Sequence, residues 1–115
     1  MKRKIKDYLF DIFNECNYLL KESENLDFDS FVTNERLKRA FVRSLEIIGE
    51  AVKKIPKSLK EKYSEIKWRE VAGMRDKLIH EYFGVDYKVV WKTVSADIPI
   101  LKEVIEKIIK SIKNE

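Results

Sequence analysis

The single histidine of the chain, His80, lies in the segment MRDKLIHEYFG among polar side chains that could act on a phosphodiester. Arg75 and Asp76 precede it and Tyr82 follows it within this segment. An arginine binds phosphate oxygens through two N–H groups, and a neutral imidazole accepts a proton near pH 7. A carboxylate can fix the imidazole tautomer, and a phenol can orient a phosphate. We therefore predict Arg75 and His80 as catalytic residues, with Asp76 and Tyr82 supporting them.

The spacing of these residues raises a geometric question. On a straight helix, five residues at about 100° each separate His80 from Arg75 by about 140°. Asp76 lies four residues before His80 and would share its face, and Tyr82 would lie two turns along the stripe of Arg75. Either the helix distorts before Gly84 or two chains build the site together. The sequence interpretation favours two symmetry-related helices. A lone histidine that merely caps or fills a helical core stays a simpler alternative.

The sequence gives little support for a metal site, a nucleotide-phosphate loop or a reactive cysteine. One histidine and one cysteine cannot form a zinc site of the usual kind, and no calcium-loop spacing is present. The phosphate-binding patterns G-x-x-x-x-G-K-[ST] and G-x-G-x-x-G are absent. Cys16 falls on an apolar helical stripe, which indicates a small core residue. We therefore expect neither a metal nor another cofactor.

Apolar residues recur at helical spacing along most of the chain and must position these side chains. Four main helices are predicted, joined by short connections, and the connector PKSLKEKYSEI has room for one further helical turn. Their packing predicts an all-α, up-down bundle. The predicted helices cover residues 3–22, 30–55, 67–83 and 86–113.

Several residues mark where these helices begin, break and end. Thr33 and Asn34 can cap a new turn, which would break the second helix near its start, and Asp86 can cap the fourth. Pro56 ends the second helix because the residue before proline avoids helical angles. Pro99 falls inside the fourth helix and should kink it in the turn before the proline.

Composition restricts the class of protein. The chain has 115 residues, which predicts one domain over 1–115, and only 3 Gly and 2 Pro, too few for a turn-rich β fold. A net charge of +4 permits a polyanionic partner without requiring one. No run of apolar residues is long enough to cross a membrane and no signal peptide is expected, so the predicted location is the cytoplasm. The abundance of apolar residues for so small a core predicts a dimer.

A basic stripe on the second helix could contact a polyanion. Arg36, Arg39 and Arg43 are spaced three and four residues apart and so share one face. A solvated helix face is the simpler reading, and a series of phosphate contacts is the functional one. Glu50 continues this stripe and could instead pair with Arg75 inside the bundle.

The segment from Arg75 to Tyr82 fits the pattern R-x4-H-x-Y, which resembles the signature of the HEPN superfamily, specifically its HepT branch of bacterial and archaeal toxins. Four further stretches resemble family segments in the same order. They are IIGEA at 47–51, VAGMR at 71–75, DYKVVW at 86–91 and DIP at 97–99. The resemblance covers nearly the whole chain.

The resemblance implies a dimer of all-α protomers with a cleft between them, and a metal-independent endoribonuclease with transfer RNA as its substrate. It also implies a cognate antitoxin, a minimal nucleotidyltransferase of the MntA type, which transfers AMP from ATP to Tyr82. Two other functions stay open. The chain could be a non-catalytic helical partner that positions a nucleotidyltransferase, or a plain structural dimer.

Overall fold

The structure is a computed structural model, and it describes residues 2–80 and 84–113, without the side chain of His80. Three long helices, α1 (Ile5–Ser23), α3 (Glu35–Val52) and α8 (Ile98–Lys113), carry most of the helical residues. The shorter helices are α2 (Phe28–Val32), α4 (Lys57–Lys62), α5 (Trp68–Ala72), α6 (Met74–Leu78) and α7 (Tyr87–Lys92). A π-helical segment, Thr93–Asp97, and two strands of two residues each, β1 (Ile79–His80) and β2 (Gly84–Val85), complete the described elements. The prediction of an all-α fold is confirmed.

The core lies between α1, α3 and α8, with α1 packed against both of the others. Each long helix buries side chains three or four residues apart, as the apolar periodicity predicts. The buried positions are Leu9, Ile12, Cys16 and Leu19 on α1, Phe41, Leu45, Ile48 and Val52 on α3, and Ile98, Leu101, Ile105 and Ile108 on α8.

The break predicted at Thr33 and Asn34 is present, and side-chain caps explain it. The Asn34 side chain accepts a hydrogen bond from the Leu37 N–H at 3.1 Å and so begins α3. Asp27 begins α2 in the same way, at 2.8 Å from the Ser30 N–H. That hydrogen bond lowers the pKa of the Asp27 carboxyl.

The end of α3 differs slightly from the prediction. The helix ends at Val52, before the predicted end at residue 55, and the Lys54 and Ile55 N–H groups form turn hydrogen bonds. Pro56 then precedes α4, where its carbonyl accepts hydrogen bonds from the Leu59 and Lys60 N–H groups. The helical turn predicted in this connector is confirmed.

The predicted third helix, 67–83, is wrong in its continuity. It divides at Gly73 into α5 and α6, and α6 ends at Leu78. Ile79 adopts extended backbone angles, φ −109° and ψ 118°. The Leu78 carbonyl accepts a hydrogen bond from the Asp86 N–H at 2.8 Å, which ties the end of α6 to the start of α7.

The predicted fourth helix runs from α7 through a π-helical segment, Thr93–Asp97, into α8. Asp86 caps α7, as predicted, by accepting from the Lys88 and Val89 N–H groups at 3.1 and 3.3 Å. The π segment lies where the sequence predicts a kink. Pro99 has no N–H to give to the carbonyl four residues earlier, and the preceding Ile98 N–H reaches back to the Thr93 carbonyl.

The aromatic residues of α1 are largely covered within one chain. Tyr8, Phe13 and Tyr18 pack against the core, and Phe10 is the one of the four that is exposed. This covering weakens the surface argument for a dimer, which now rests on Phe10, Ile5 and Ile100. Across 2–80 and 84–113, no helix is both long and apolar enough to span a bilayer.

Candidate active site

Helix α6 presents Arg75 to solvent, although the helical spacing of the sequence places this residue on one stripe with the apolar Val71 and Leu78. The five residues of α6 bury Met74 and Leu78 and expose the positions between them. The Arg75 side chain is 72% exposed. An exposed guanidinium carries little desolvation cost and can meet a ligand from solution. Asp76 and Lys77 are exposed on the same short helix.

The carboxylate that faces Arg75 is Glu46 on α3, not Glu50. Arg75 Nε lies 3.8 Å from Glu46 Oε2, and the Glu46 side chain is 26% exposed. Glu50 instead pairs with Lys53 at 3.1 Å on its own helix. The predicted pairing of Glu50 with Arg75 is therefore wrong by one helical turn. The contact engages Nε of the guanidinium, which has two further nitrogens able to donate to a phosphate.

The close approach of α3 to the α5–α6 junction explains why Glu46, and not Glu50, faces Arg75. A Cβ added at Gly49 would lie 3.1 Å from the Val71 carbonyl oxygen and 3.6 Å from Met74 Cβ. Only glycine fits so near a backbone carbonyl without displacing it. Glu46 lies three residues before Gly49 and so shares that side of α3. Sequence reasoning missed Glu46, although a glycine within an apolar helical run was the available signal.

The backbone of His80 is extended rather than helical. Ile79 and His80 pair antiparallel with Val85 and Gly84, and Gly84 adopts a positive φ of 72°, which glycine tolerates. The helical wheel that separates Arg75 from His80 by about 140° therefore does not apply. The alternative that the helix distorts before Gly84 is the one observed. The same change removes the helical i,i+4 relation between Asp76 and His80.

Two parts of the predicted site lie outside the described residues. One is the imidazole of His80, of which only the backbone is described, and the other is Tyr82. Because α6 ends at Leu78, helical spacing no longer argues that Tyr82 shares a stripe with Arg75. The structure therefore fixes the position of Arg75 and the strand that carries His80.

The three arginines of α3, Arg36, Arg39 and Arg43, are all exposed. Among the described residues none of them forms a salt bridge. Glu35 lies at the start of the same helix and pairs with Lys38 at 3.0 Å. Lys38, with a smaller contribution from Arg39, lowers the pKa of the Glu35 carboxyl. The arginines are thus available to an external anion.

Two hollows border the segment that carries these residues. A groove of about 530 Å³ runs between α5–α6 and the π segment, with Met74 and Lys77 among its lining residues. It lies on the side of α6 away from Arg75, which does not line it. A second hollow of about 520 Å³ is lined by Gly84, Val85 and Tyr87 and so flanks the strand pair that includes His80.

Neither Cys16 nor a cluster of metal-binding side chains adds a reactive group to the described part of the chain. Cys16 is fully buried, and burial raises the pKa of its thiol to about 12, which makes it inert as a nucleophile. The prediction of a core cysteine is confirmed. Within the described part of the chain, no group of three or more His, Cys, Asp or Glu side chains could hold a metal ion.

Known proteins similar to this chain cover nearly all of it. The family model described as ribonuclease HepT-like matches residues 3–108. A Methanocaldococcus jannaschii protein with a provisional RNase name is 51% identical over 114 residues, 99% of this chain and 94% of that protein. A Caldanaerobacter subterraneus protein, also provisionally named an RNase, is 50% identical over 94% of this chain and 96% of its own length. No solved structure matches significantly.

A Thermococcus cleftensis protein named probable ribonuclease HepT is 50% identical over 110 residues, 96% of this chain and 100% of that protein. The family match includes Arg75, His80 and Tyr82 and both helices, α3 and α6, that contribute to the ion pair at Arg75. The resemblance inferred from R-x4-H-x-Y is therefore confirmed by the full-length matches. The chain belongs to the HepT-like ribonuclease family.

Proposed function

We propose that this protein is a metal-independent endoribonuclease toxin that cleaves RNA, with transfer RNA as its substrate, using Arg75 and His80. The observation that carries the proposal is the exposure of Arg75 on the short helix directly before the strand of His80, in a chain of the HepT-like family. Glu46 lies 3.8 Å from Nε of Arg75, and the other guanidinium nitrogens can donate to a phosphate.

The reaction uses the 2′-hydroxyl of RNA as its nucleophile. His80 removes the proton of this hydroxyl as its oxygen attacks the neighbouring phosphorus. Arg75 donates hydrogen bonds to the non-bridging oxygens and stabilises the charge that develops on them. The bond from phosphorus to the 5′-oxygen breaks, and that oxygen takes up a proton. The products are a 2′,3′-cyclic phosphate and a 5′-hydroxyl, and DNA is not cut because it lacks the nucleophile.

Tyr82 is the proposed point of regulation, in the cytoplasm where ATP and transfer RNA are both present. An MntA-type nucleotidyltransferase antitoxin would direct the Tyr82 phenol oxygen at the α-phosphorus of ATP. A bond from that oxygen to phosphorus forms, the bond to the β-phosphate oxygen breaks, pyrophosphate leaves and the phenol proton passes to solvent. The added AMP brings bulk and negative charge, which repel an RNA phosphate. Asp76 is exposed beside Arg75 on α6, and we propose that it supports the site from there and not through a helical pairing with His80.

A homodimer is part of the proposal. The family resemblance implies it, and the exposed side chains of Ile5, Phe10 and Ile100 supply apolar surface for it. Sedimentation at micromolar concentration should report about twice the chain mass of 13.7 kDa. A monomer at all concentrations that still cleaves RNA would separate the activity from the dimer.

Cleavage of transfer RNA in EDTA is the direct test of the enzyme. The wild-type chain should cut it, and Arg75→Ala and His80→Ala should each lower the rate by about 10²–10³-fold while circular dichroism shows intact helices. Arg69→Ala is the matched control, because it removes another exposed arginine from the preceding helix. It should cleave like the wild type. A transfer RNA that carries a 2′-deoxy nucleotide on the 5′ side of the scissile phosphate should not be cut there.

Two outcomes would overturn this assignment. Full activity in a folded His80→Ala protein would remove the proposed base. Absence of cleavage by the wild-type chain, together with stimulation of a nucleotidyltransferase, would favour the non-catalytic partner instead.

Modification of Tyr82 has its own test. Incubation with the cognate nucleotidyltransferase, ATP and magnesium should add one AMP to the wild-type chain, as intact-mass spectrometry would show, and should abolish RNA cleavage. Tyr82→Phe keeps the ring but lacks the acceptor oxygen, so it should stay unmodified. An equal adduct on both proteins would assign the modification to another residue.

A further inference from the structure

Arg36, Arg39 and Arg43 of α3 lie on the same face as Glu46, the residue that contacts Arg75. At about 100° per residue, these four positions fall within about 80° of one another around the helix. At about 1.5 Å per residue, the line from Arg36 to Glu46 is about 15 Å long. The ion pair at 3.8 Å places Arg75 at the end of this line. The primary structure separates Arg75 from the other arginines, and the fold joins them.

We infer that Arg36, Arg39, Arg43 and Arg75 form one phosphate-binding track, along which a single strand of RNA lies with its scissile phosphate at Arg75. This inference rests on the proposed ribonuclease function. The inference adds an RNA-binding surface to the two proposed catalytic residues, and it places the RNA strand along the axis of α3.

Charge along the track supports this orientation. The three arginines are exposed and form no salt bridge with any residue that the structure describes, so a phosphate need not displace a partner. Beyond Glu46, the same face continues to Glu50, whose side chain is 70% exposed. Glu50 pairs with Lys53 at 3.1 Å, and no arginine follows Arg43 on α3, so the line of arginines ends at Arg75. The strand therefore leaves α3 at Arg75 and continues toward the strand pair of His80.

The chemical character of this face predicts how RNA is read. Between Arg36 and Glu50 it carries arginine, alanine, isoleucine and glutamate side chains but no aromatic ring. Arginine contacts to phosphates position a strand without reading its sequence, whereas stacking on aromatic rings binds the bases. The track should bind RNA of any sequence, and selection of the cleavage site must come from residues elsewhere.

Binding of a short 2′-O-methyl RNA tests the track without requiring cleavage, because the methyl group blocks the nucleophile. The triple variant Arg36→Ala/Arg39→Ala/Arg43→Ala should lower the slope of log K against log salt by about 2, at about 0.7 per lost contact. Affinity at low salt should fall by at least about tenfold. Each single variant should lower the slope by about a third as much, which keeps the test valid if the triple variant folds poorly.

A matched control removes the same charge from another helix. Lys107→Ala/Lys110→Ala/Lys113→Ala also deletes three exposed cations, on α8, and should change affinity by less than about twofold. Arg36→Lys/Arg39→Lys/Arg43→Lys keeps the charge and should retain most of the salt slope. Equal losses in the α3 and α8 triple variants would overturn the track, because binding would then reflect net charge alone. Unchanged binding in the α3 triple variant would overturn it too.

The same experiment separates this inference from the proposed function. If the wild-type chain cleaves no RNA but the α3 triple variant alone loses binding, the ribonuclease proposal and the scissile phosphate at Arg75 fail, and only the phosphate-binding surface on α3 stands. If the wild-type chain cleaves RNA and the α3 triple variant binds and cleaves equally well, the track fails and the ribonuclease proposal stands.

Discussion

The long helices and the site segment, residues 68–86, are built in opposite ways. Helices α1, α3 and α8 have 19, 18 and 16 residues and bury an apolar stripe along their lengths. The site segment contains helices of five residues and strands of two. Isolated helices shorter than about 12–15 residues are marginal in water, so the site segment takes its shape from contacts with the long helices.

The inner side of the site segment packs against α3 and is also tied to α4. Trp68 Nε1 donates to the carbonyls of Lys60 in α4 and of Tyr63 just after it, at 3.1 and 2.9 Å, and the Leu78 side chain is fully buried. Arg75 lies on the outer side. An exposed side chain can therefore lie on a backbone that is fixed from its other side. Substitutions of buried residues in the long helices should change stability, whereas those of exposed residues on the outer side of the site segment should change activity.

The largest effect on stability is expected for Phe41→Ala. Phe41 is fully buried, with its ring centroid 4.9 Å from that of Phe31. The cavity should lower the free energy of unfolding by about 3–5 kcal/mol, as urea denaturation would measure. Phe10→Ala is the control, since it removes the same ring from a partly exposed position of α1 and should cost far less. Equal losses would contradict the assigned core.

Gly49→Ala tests the junction between the two regions. Its new Cβ would lie 3.1 Å from the Val71 carbonyl oxygen, a backbone atom that must give way by a few tenths of an ångström. This strain opposes the gain of about 1 kcal/mol that alanine brings to a helix interior, so we expect no net gain in stability. RNA cleavage should fall because the segment that carries Arg75 is displaced. At Gly73 the nearest atom to an added Cβ is the Arg69 carbonyl oxygen at 3.4 Å, so Gly73→Ala should be tolerated. A gain of about 1 kcal/mol in Gly49→Ala, as in an unobstructed helix, would refute the close approach.

Cys16 gives the core a pH signature. Burial raises the pKa of this thiol from 9.0 to about 12, so the folded chain keeps its proton while the unfolded chain loses it. The contribution of this thiol to the free energy of unfolding is therefore full below about pH 9. It declines by about 1.4 kcal/mol per pH unit as the pH rises toward 12. Wild type and Cys16→Ala should therefore differ in the slope of unfolding free energy against pH. Parallel slopes would place the thiol in water.

The smallest change in stability is expected for Arg75→Ala. An exposed ion pair at 3.8 Å contributes at most about 1 kcal/mol, and salt should reduce that contribution further. Glu46→Gln removes the partner's charge and should have a similarly small effect on thermal unfolding. A loss above about 2 kcal/mol in Arg75→Ala would mean that this arginine is structural, and the contrast between the two regions would not hold.

Much of the fold follows from local sequence. The apolar spacing of α1, α3 and α8 predicts their buried faces because every third or fourth side chain meets the core. Asn34 and Asp86 mark helix starts because their side chains accept backbone N–H groups nearby in the chain. The motif from Arg75 to Tyr82 likewise carries the family resemblance in its residue types alone.

The geometry of the site was decided by tertiary structure. Residues 67–83 satisfy a helical period, yet the helix ends at Leu78, whose carbonyl accepts a hydrogen bond from the Asp86 N–H, beyond the reach of a helical turn. Glu46 and Glu50 lie on one face of α3, and sequence cannot choose between them as the partner of Arg75. The approach of α5 and α6 at Gly49 makes that choice. Local spacing determines which face a residue occupies, whereas contacts between distant segments determine what that face meets.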